Sequence, residues 1–290
     1  MNVSEKLLPE KEGRANNRVL QLKHLMKRNV LCAVMMLLAG SLIAADKDDV
    51  SAAIAKLTAA DNYGWKTTTT NVPPPGSSDR RRVRQPDEGK ALKSGLVSMT
   101  MPGMGAGTSN EVYMQGTNGA FQTPAGWQSV ADGLKDDTRG GLNIPHLRAL
   151  LILSTKTPVE QAGALLKGAK NITKINDAYV GELTDEGAKA LLQPPFSQPS
   201  ETVGISFERG GPKAITESTA PQITITDAKA SVKYWIRDGI LTKYEIKSKG
   251  RVEVDNLAPN DLDRTTTVEI KDVGSTKITI PDDAKKKMSR

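Results

Sequence analysis

The sequence predicts an α+β fold in which an antiparallel β-sheet is covered by central helices. Three observations lead to this prediction. The last third of the chain alternates apolar and charged residues with the period of two that is typical of half-buried strands. The middle of the chain carries helix start signals, and the apolar face of such a sheet needs a cover. Apolar residues make up 38% of the 290 residues and charged residues 25%, which is ordinary for a folded soluble protein.

The first 45 residues have the order of a secretory signal peptide. Lys27 and Arg28 precede a 16-residue apolar run at 30–45, which would span only about 24 Å as a helix, against roughly 30 Å for a bilayer core. Cleavage is therefore predicted after Ala45, with a periplasmic or secreted mature protein, and an uncleaved signal anchor is the alternative. Because the polar stretch before Met26 is long for a signal peptide, translation from Met26 is an alternative start.

The composition of the predicted mature domain, residues 46–290, excludes several kinds of chemistry. The single cysteine, Cys32, precedes this domain, so disulfides and cysteine nucleophiles are excluded. Ser41 stands where a lipoprotein signal has its acylated cysteine, so no lipid anchor is expected. The 33 Lys or Arg and 30 Asp or Glu of the domain give a charge of +3, which is too mild to predict nucleic acid as a partner. No cofactor and no metal are predicted.

The N-terminal half of this single domain is predicted to be one helix followed by strands. Val50, Ile54 and Leu57 fall on one face of the helix. A stretch rich in Pro, Gly and Arg separates two strands. The residues Gly116-Thr117-Asn118-Gly119 join a hairpin, and the last two of them favour positive φ. The predicted elements are a helix at 46–60, a strand at 63–72, an exposed loop at 73–88, a strand at 91–101 and hairpin strands at 111–115 and 120–123.

Residues 129–193 are predicted to be a helical insertion. The clearest helix start is Thr157-Pro158-Val159-Glu160, with threonine at the N-cap, proline at N1 and glutamate at N3. The nearly all-apolar stretch 145–153 is predicted to be a buried helix. The further elements are a helix from 157 to about 170, a hairpin at 172–183 and a short helix from 184 that ends before Pro194.

The C-terminal third is predicted to be a meander of strands. Asp238-Gly239 is a strong signal for a two-residue hairpin turn. In the strand that follows, Tyr244 and Ile246 fall on one face and charged residues on the other. The predicted strands are 232–236, 240–246, 265–271 and 276–280.

The segments 234–241, 265–270, 273–274 and 278–281 contain a tryptophan strand, a DG turn and a proline-terminated last strand. They resemble the closing pattern of the LolA-like and LppX-like bacterial periplasmic carriers, and the order of elements over 46–290 is similar as well. The resemblance implies a curved incomplete barrel that holds acyl chains under a helical lid. It implies a non-enzymatic protein that binds or transports a lipid or other hydrophobic molecule, with an envelope protein as a candidate partner.

Two further classes of function stay open. A cell-envelope structural or interaction module would use the outer face or the edge of the sheet without a ligand, and a hydrolase is the third hypothesis. His146 is the one histidine in residues 46–290, and the acid pairs fall in polar stretches, so no catalytic constellation is visible and no enzyme is predicted. Residues 181–189 also resemble a segment of uncharacterised secreted bacterial proteins.

Two sets of candidate binding residues follow from the pattern. Periodicity does not separate a solid core from the lining of a ligand cavity, although methionines adapt to variable acyl chains. An arginine cluster in the predicted loop fits either a solvated loop or a peripheral contact with anionic head groups at a membrane. The candidate cavity residues are Val97, Met99, Met101, Tyr113, Met114, Leu150, Leu151, Leu166 and Trp235, and the candidate anionic contacts are Arg80, Arg81, Arg82 and Arg84.

Overall fold

The computed structural model describes residues 45–73, 82–83, 87–102, 109–135, 144–193, 204–208, 211–215, 223–254 and 259–289. The chain divides into two compact units, Met1–Ala45 and Asp46–Arg290. All described residues except Ala45 belong to the second unit, whose start coincides with the predicted start of the mature domain. None of the helices in the described ranges is long and apolar enough to cross a membrane.

Helices lie at the start, in the middle and at the end of the described chain, and strands fill the rest. The helices are α1 (45–59), α2 (Val130–Lys135), α3 (Ile144–Ser154), α4 (Pro158–Gly168), α5 (Asp185–Leu192) and α6 (Asp282–Met288). The strands are β1 (Asn62–Asn71), β2 (Arg82–Val83), β3 (Asp87–Leu92), β4 (Leu96–Pro102), β5 (Ser109–Gln115), β6 (Asn118–Thr123), β7 (Gly126–Ser129), β8 (Ala169–Ile175), β9 (Ala178–Leu183), β10 (Gly204–Glu208), β11 (Gly211–Ile215), β12 (Ile223–Arg237), β13 (Ile240–Val254) and β14 (Asn260–Lys271).

Most of the described strands form one antiparallel sheet. Its order is β7-β6-β5-β4-β3-β1-β14-β13-β12-β9-β8, and β2 pairs with β1 outside this path. The strands β7 and β8 lie at opposite ends, so the sheet does not close into a barrel. The strands β10 and β11 pair with each other. The predicted fold class, α+β with an open antiparallel sheet under helices, is confirmed.

Two local signals in the sequence are realised in the structure. Asp238 (φ 53°) and Gly239 (φ 72°) form the turn between β12 and β13, with the two left-handed residues of a type I′ turn. At the start of α4 the Glu160 carboxylate accepts a hydrogen bond from the Thr157 N–H at 2.8 Å, which is the capping-box contact. Both predictions are confirmed.

Two turns differ from the prediction because of glycines. The predicted strand at 91–101 is wrong, since a turn that contains Gly95 (φ 82°) divides it between β3 and β4. The turn between β5 and β6 has its left-handed residue at Gly116 (φ 62°), while Asn118 and Gly119 belong to β6. Glycine adopts positive φ without the steric cost that other residues carry.

The end of the chain also differs from the prediction. Residues 276–280 are not a strand, because they lie outside every strand pairing among the described residues. Ile278 and Ile280 instead pack beside Ala284 of α6, on the face of the sheet that carries Tyr113. The last described residues form the helix α6, whose acidic first turn and basic last turn both suit the helix dipole.

The other face of the sheet carries the remaining helices in two groups. The first half consists of β3, β1, β14, β13, β12, β9 and β8 under α1, α4 and α5, and its core includes Leu57, Leu165, Tyr234 and Val268. The second half consists of β4 to β7 under α2 and α3. Its core comprises Val112, Met114, Phe121, Val130, Ala149 and Ile152.

The first helix also covers one end of the sheet. The Asp46 carboxylate, in the first turn of α1, accepts a hydrogen bond from the Lys174 N–H of the edge strand β8 at 2.8 Å. Tyr179 of β9 donates its hydroxyl to Asp49 at 2.9 Å. These contacts fix the start of α1 against the edge of the first half.

Candidate ligand site

The cover of the first half is held down by buried tyrosines. The Tyr234 hydroxyl donates to the Ala162 carbonyl at 3.2 Å, and the Tyr244 hydroxyl donates to the Gln161 Oε1 at 2.6 Å. Both acceptors lie in α4, and both tyrosines are fully buried. Burial raises the pKa of Tyr63 to about 12 and raises the pKa of Tyr234 and Tyr244 as well. The phenols therefore stay protonated, as hydrogen-bond donors must.

The cover of the second half is attached differently. A Cβ added to Gly133 of α2 would lie 3.1 Å from the Cβ of Ala149, so α2 and α3 pack closely at this point. The His146 Nδ1–H donates to the Leu134 carbonyl at 3.2 Å, which joins the same two helices. His146 therefore makes a structural contact between α2 and α3.

A cleft of about 710 Å³ lies between the first turn of α3 and the ends of β5, β6 and β7. It adjoins the core of the second half, because Phe121 belongs to both. Apolar side chains dominate its walls, together with a few polar groups. The main lining residues are Phe121, Pro124, Ala125, Gln128, Ile144, Pro145 and Arg148.

Arg148 supplies the charge of this cleft. Its guanidinium donates to the Gln122 carbonyl at 3.1 Å, and burial lowers its pKa below the ordinary value. None of the ion pairs among the described residues involves Arg148. An arginine side chain stays protonated in proteins even when its pKa is lowered, so the cleft combines apolar walls with one positive charge.

The nine predicted cavity residues do not form one site. Val97 and Met99 are half-buried on β4 and pack against the cores of both halves, and Met101 packs against the second core. Met99 and Met101 therefore lie on the same face of the sheet as the cleft, which shares Phe121 with the second core. Leu150 and Leu151 are half-buried on α3. Their role in binding stays a prediction.

The remaining predicted cavity residues lie elsewhere. Met114 is buried in the second core and Leu166 in the first. Tyr113 lies on the opposite face of the sheet, where its ring centroid is 5.6 Å from that of Trp127. Trp235 also faces away from the first core, with the Lys243 Nζ 4.6 Å from its ring centroid.

The helix α3 is less buried than the sequence predicts. Only Ala149 and Ile152 among its 11 residues are buried, and Ile144 and Leu153 are 41% and 40% exposed. The prediction of a buried helix at 145–153 is therefore wrong. Sequence analysis also missed Arg148 as a site residue, although a single charge within an otherwise apolar stretch is a usable signal.

Several predicted features lie outside the described residues. These include Arg80, Arg81 and Arg84 of the arginine cluster. Arg82 begins β2, where its backbone pairs with Asn71, and its side chain lies outside the described part. The proposed contact of this cluster with anionic groups stays a prediction.

A second cleft, of about 750 Å³, lies beside α5 and the irregular part of β12. Its lining mixes lysines with carboxylates, and Lys170 pairs with Asp185 at 3.4 Å. Because its charges are of both signs, this cleft favours no single class of ligand. Within the described ranges, no group of three or more His, Cys, Asp or Glu could hold a metal ion.

The fold and the cleft define an α+β protein with an open antiparallel sheet and a ligand-sized space under one part of its helical cover. No family model and no curated protein sequence matches the chain. Solved structures do match it. LprF from Mycobacterium bovis is 11% identical with a TM-score of 0.38, over 82% of this chain and 97% of that one.

Two further solved structures resemble the chain. The Mycobacterium tuberculosis lipoprotein LppX is 9% identical with a TM-score of 0.38, over 82% of this chain and 98% of that one. The LolA superfamily protein NE2245 from Nitrosomonas europaea is 11% identical with a TM-score of 0.29, over 80% and 94%. The last two carry the names of the groups, LppX-like and LolA-like, that the sequence resembles. At TM-scores below 0.5 the likeness carries no functional argument, so the class of ligand has to be inferred from the geometry of the cleft.

Proposed function

We propose that this protein is exported and binds a lipid or another hydrophobic molecule, without catalysing a reaction, in the cleft between α3 and β5 to β7. The observation that carries this proposal is the cleft itself, whose volume of about 710 Å³ falls within the usual range for small-molecule sites. Phe121, Ile144 and Pro145 offer an apolar surface, and Arg148 offers one cation for a polar or anionic end.

The surroundings of the cleft suit a ligand of variable shape. Met99 and Met101 lie half-buried on β4, beside the core that the cleft adjoins. Methionine side chains are flexible and polarizable, so they can repack around different acyl chains. A molecule larger than the cleft would therefore extend along these methionines, toward the boundary between the two halves.

Titration with a fluorescent fatty acid tests the proposal. In the variant Ile144→Trp the larger ring fills the mouth of the cleft, and we expect the affinity to fall at least tenfold. The matched control is Ile175→Trp, because Ile175 is 53% exposed in the turn between β8 and β9, away from the cleft. Unchanged affinity in Ile144→Trp, or no binding by the unmodified protein, would contradict the proposal and favour an interaction module without ligand.

Export is tested on the protein from its native cell envelope. Cleavage after Ala45 leaves Asp46, which already belongs to α1, as the first residue. N-terminal sequencing is expected to begin at Asp46. Recovery of peptides that span Ala45 and Asp46 from the mature protein would instead support the signal anchor.

A further inference from the structure

The helix α3 is apolar on both of its faces. Ala149 and Ile152 point into the second core. At 100° per residue, Leu147, Leu150 and Leu151 point away from that core, and they are only half-buried. The exposed ends of the helix, Ile144 and Leu153, extend this apolar surface.

Other helices of the protein expose polar groups instead. In α5 the outward positions are Asp185, Glu186 and Lys189, all of them exposed, while Ala188 and Leu192 are buried. This is the usual pattern of a surface helix. The leucines of α3 therefore form an apolar surface where this protein elsewhere has charges.

Exposed apolar side chains also concentrate at this place. Leu134 of α2, at 36% exposure, lies in the helix joined to α3, and with Ile144 and Leu153 it makes three large exposed apolar residues on one helix pair. The others among the described residues, Val72, Ile175 and Val273, lie apart on other segments. Single exposed apolar residues are ordinary, but a group of them marks an interaction surface.

The charges around α3 indicate which partner this surface fits. Lys135 ends α2, where it pairs with Asp132 at 3.9 Å and stays 78% exposed, and Lys156 follows α3, so exposed lysines lie at both ends of the apolar surface. From residue 138 to 159 the sequence has no acidic residue. An apolar helix flanked by cations is suited to the interface of a bilayer with anionic lipids.

The size of the surface favours a bilayer over a protein partner. Eleven residues make a helix about 16 Å long, and a strip of about 10 Å width along it has a footprint near 160 Å². A stable protein interface needs roughly 800 Å² from each partner. A lipid surface has no such minimum, because each inserted leucine contributes by its own transfer from water.

We propose that α2 and α3 dock on the surface of a bilayer that contains anionic lipids. Leu147, Leu150, Leu151 and Leu153 enter the boundary between head groups and acyl chains, and Lys135 and Lys156 contact the head groups. This orientation places the mouth of the cleft, at Ile144 and Arg148, next to the membrane. Docking does not require that the cleft binds a ligand.

The test measures co-sedimentation of the mature chain, the compact unit Asp46–Arg290, with vesicles of phosphatidylcholine and phosphatidylglycerol in a ratio of 7 to 3. The variant Leu153→Asp/Lys156→Glu changes two exposed residues outside the cleft lining, and we expect it to weaken vesicle binding at least tenfold. The control Ile175→Asp/Lys167→Glu makes the same change of charge at exposed positions on other elements and is expected to bind within twofold of the unmodified protein. Equal loss in both variants, or no sedimentation of the unmodified chain, overturns the proposal.

A second measurement does not depend on loss of binding. The mature chain 46–290 contains no cysteine, so an environment-sensitive fluorophore can be placed on Leu153→Cys alone, where it should shift to the blue on addition of the vesicles, and the same label on Ile175→Cys should not. No shift at Leu153→Cys, or dimerisation of the chain through this face without vesicles, overturns docking. Fatty-acid titration of the same variants separates the two proposals, since docking variants keep the cleft.

Discussion

The two halves of the sheet are covered in different ways. Over the first half, the hydroxyls of Tyr234 and Tyr244 in the sheet donate hydrogen bonds to α4, and both tyrosine side chains are fully buried. Over the second half, α2 and α3 pack on each other through Gly133 and Ala149 and leave a cleft beside Phe121. Under the proposed function these differences amount to a division of labour, in which the first half supplies stability and the second half supplies the binding surface.

The largest expected effect is on the core of the first half. Tyr234 is fully buried, so Tyr234→Ala should lower the free energy of unfolding by about 4 kcal/mol. Met101 of the second half is only half-buried, so Met101→Ala removes less buried apolar area. This substitution should lower the free energy of unfolding by about 1 kcal/mol. Urea denaturation measures both values, and equal losses would contradict the division.

The buried phenols of the first half predict a loss of stability at high pH. The pKa of Tyr63 is about 12 in the folded protein and about 10 in the unfolded chain, so folding favours the neutral phenol. The stabilising contribution is complete below pH 10 and is lost as the pH rises toward 12, by about 2–3 kcal/mol. Urea denaturation at pH 9 and pH 11.5 should show a smaller drop for Tyr63→Phe than for the unmodified protein. Equal drops would refute this assignment.

The contact between α2 and α3 gives an intermediate effect. Gly133→Val places side-chain atoms against Ala149, and it should destabilise the protein by about 2 kcal/mol. Gly163→Val in α4 is the control, since its added Cβ meets no atom within 4 Å and the cost of a β-branched residue in a helix is the same. Thermal unfolding measures the stability of both variants, and an equal loss of stability would contradict a tight contact between α2 and α3.

The charge of the cleft should affect ligand binding and not stability. Arg148→Gln should weaken the binding of a fatty acid about tenfold, which corresponds to about 1.4 kcal/mol, and should leave a fatty alcohol of the same length unaffected. Lys135→Gln is the control, because the Lys135 side chain is 78% exposed outside the cleft lining. Equal weakening of both ligands would show that Arg148 acts on the shape of the cleft and not through its charge.

Local signals in the sequence predict much of the fold. Asp238-Gly239 specifies its turn because the two residues tolerate left-handed backbone, and Thr157 with Glu160 specifies a helix start through contacts three residues apart. Such signals depend on near neighbours in the chain. They are therefore visible without the tertiary structure.

The burial of a helix and the location of the site cannot be predicted from near neighbours in the chain. The leucines of α3 predict a buried helix, yet Leu147, Leu150 and Leu151 are only half-buried, and hydropathy alone does not show which face of a helix packs on the core. The cleft combines β5, β6 and β7 with residues of α3, so Arg148 meets Gln122 only through the fold. Tyr113 and Trp235 were assigned to the cavity by side-chain type, although the alternation along their strands turns them to the opposite face.

The hydrogen bond from Lys174 to Asp46 has a consequence for solubility. An unprotected outermost strand offers backbone groups to the same strand of another molecule, which is a common route to fibrils. The carboxylate of Asp46 occupies one of these groups on β8. Truncation of the chain beyond this aspartate would remove that shield, and we expect such a truncated protein to self-associate more readily.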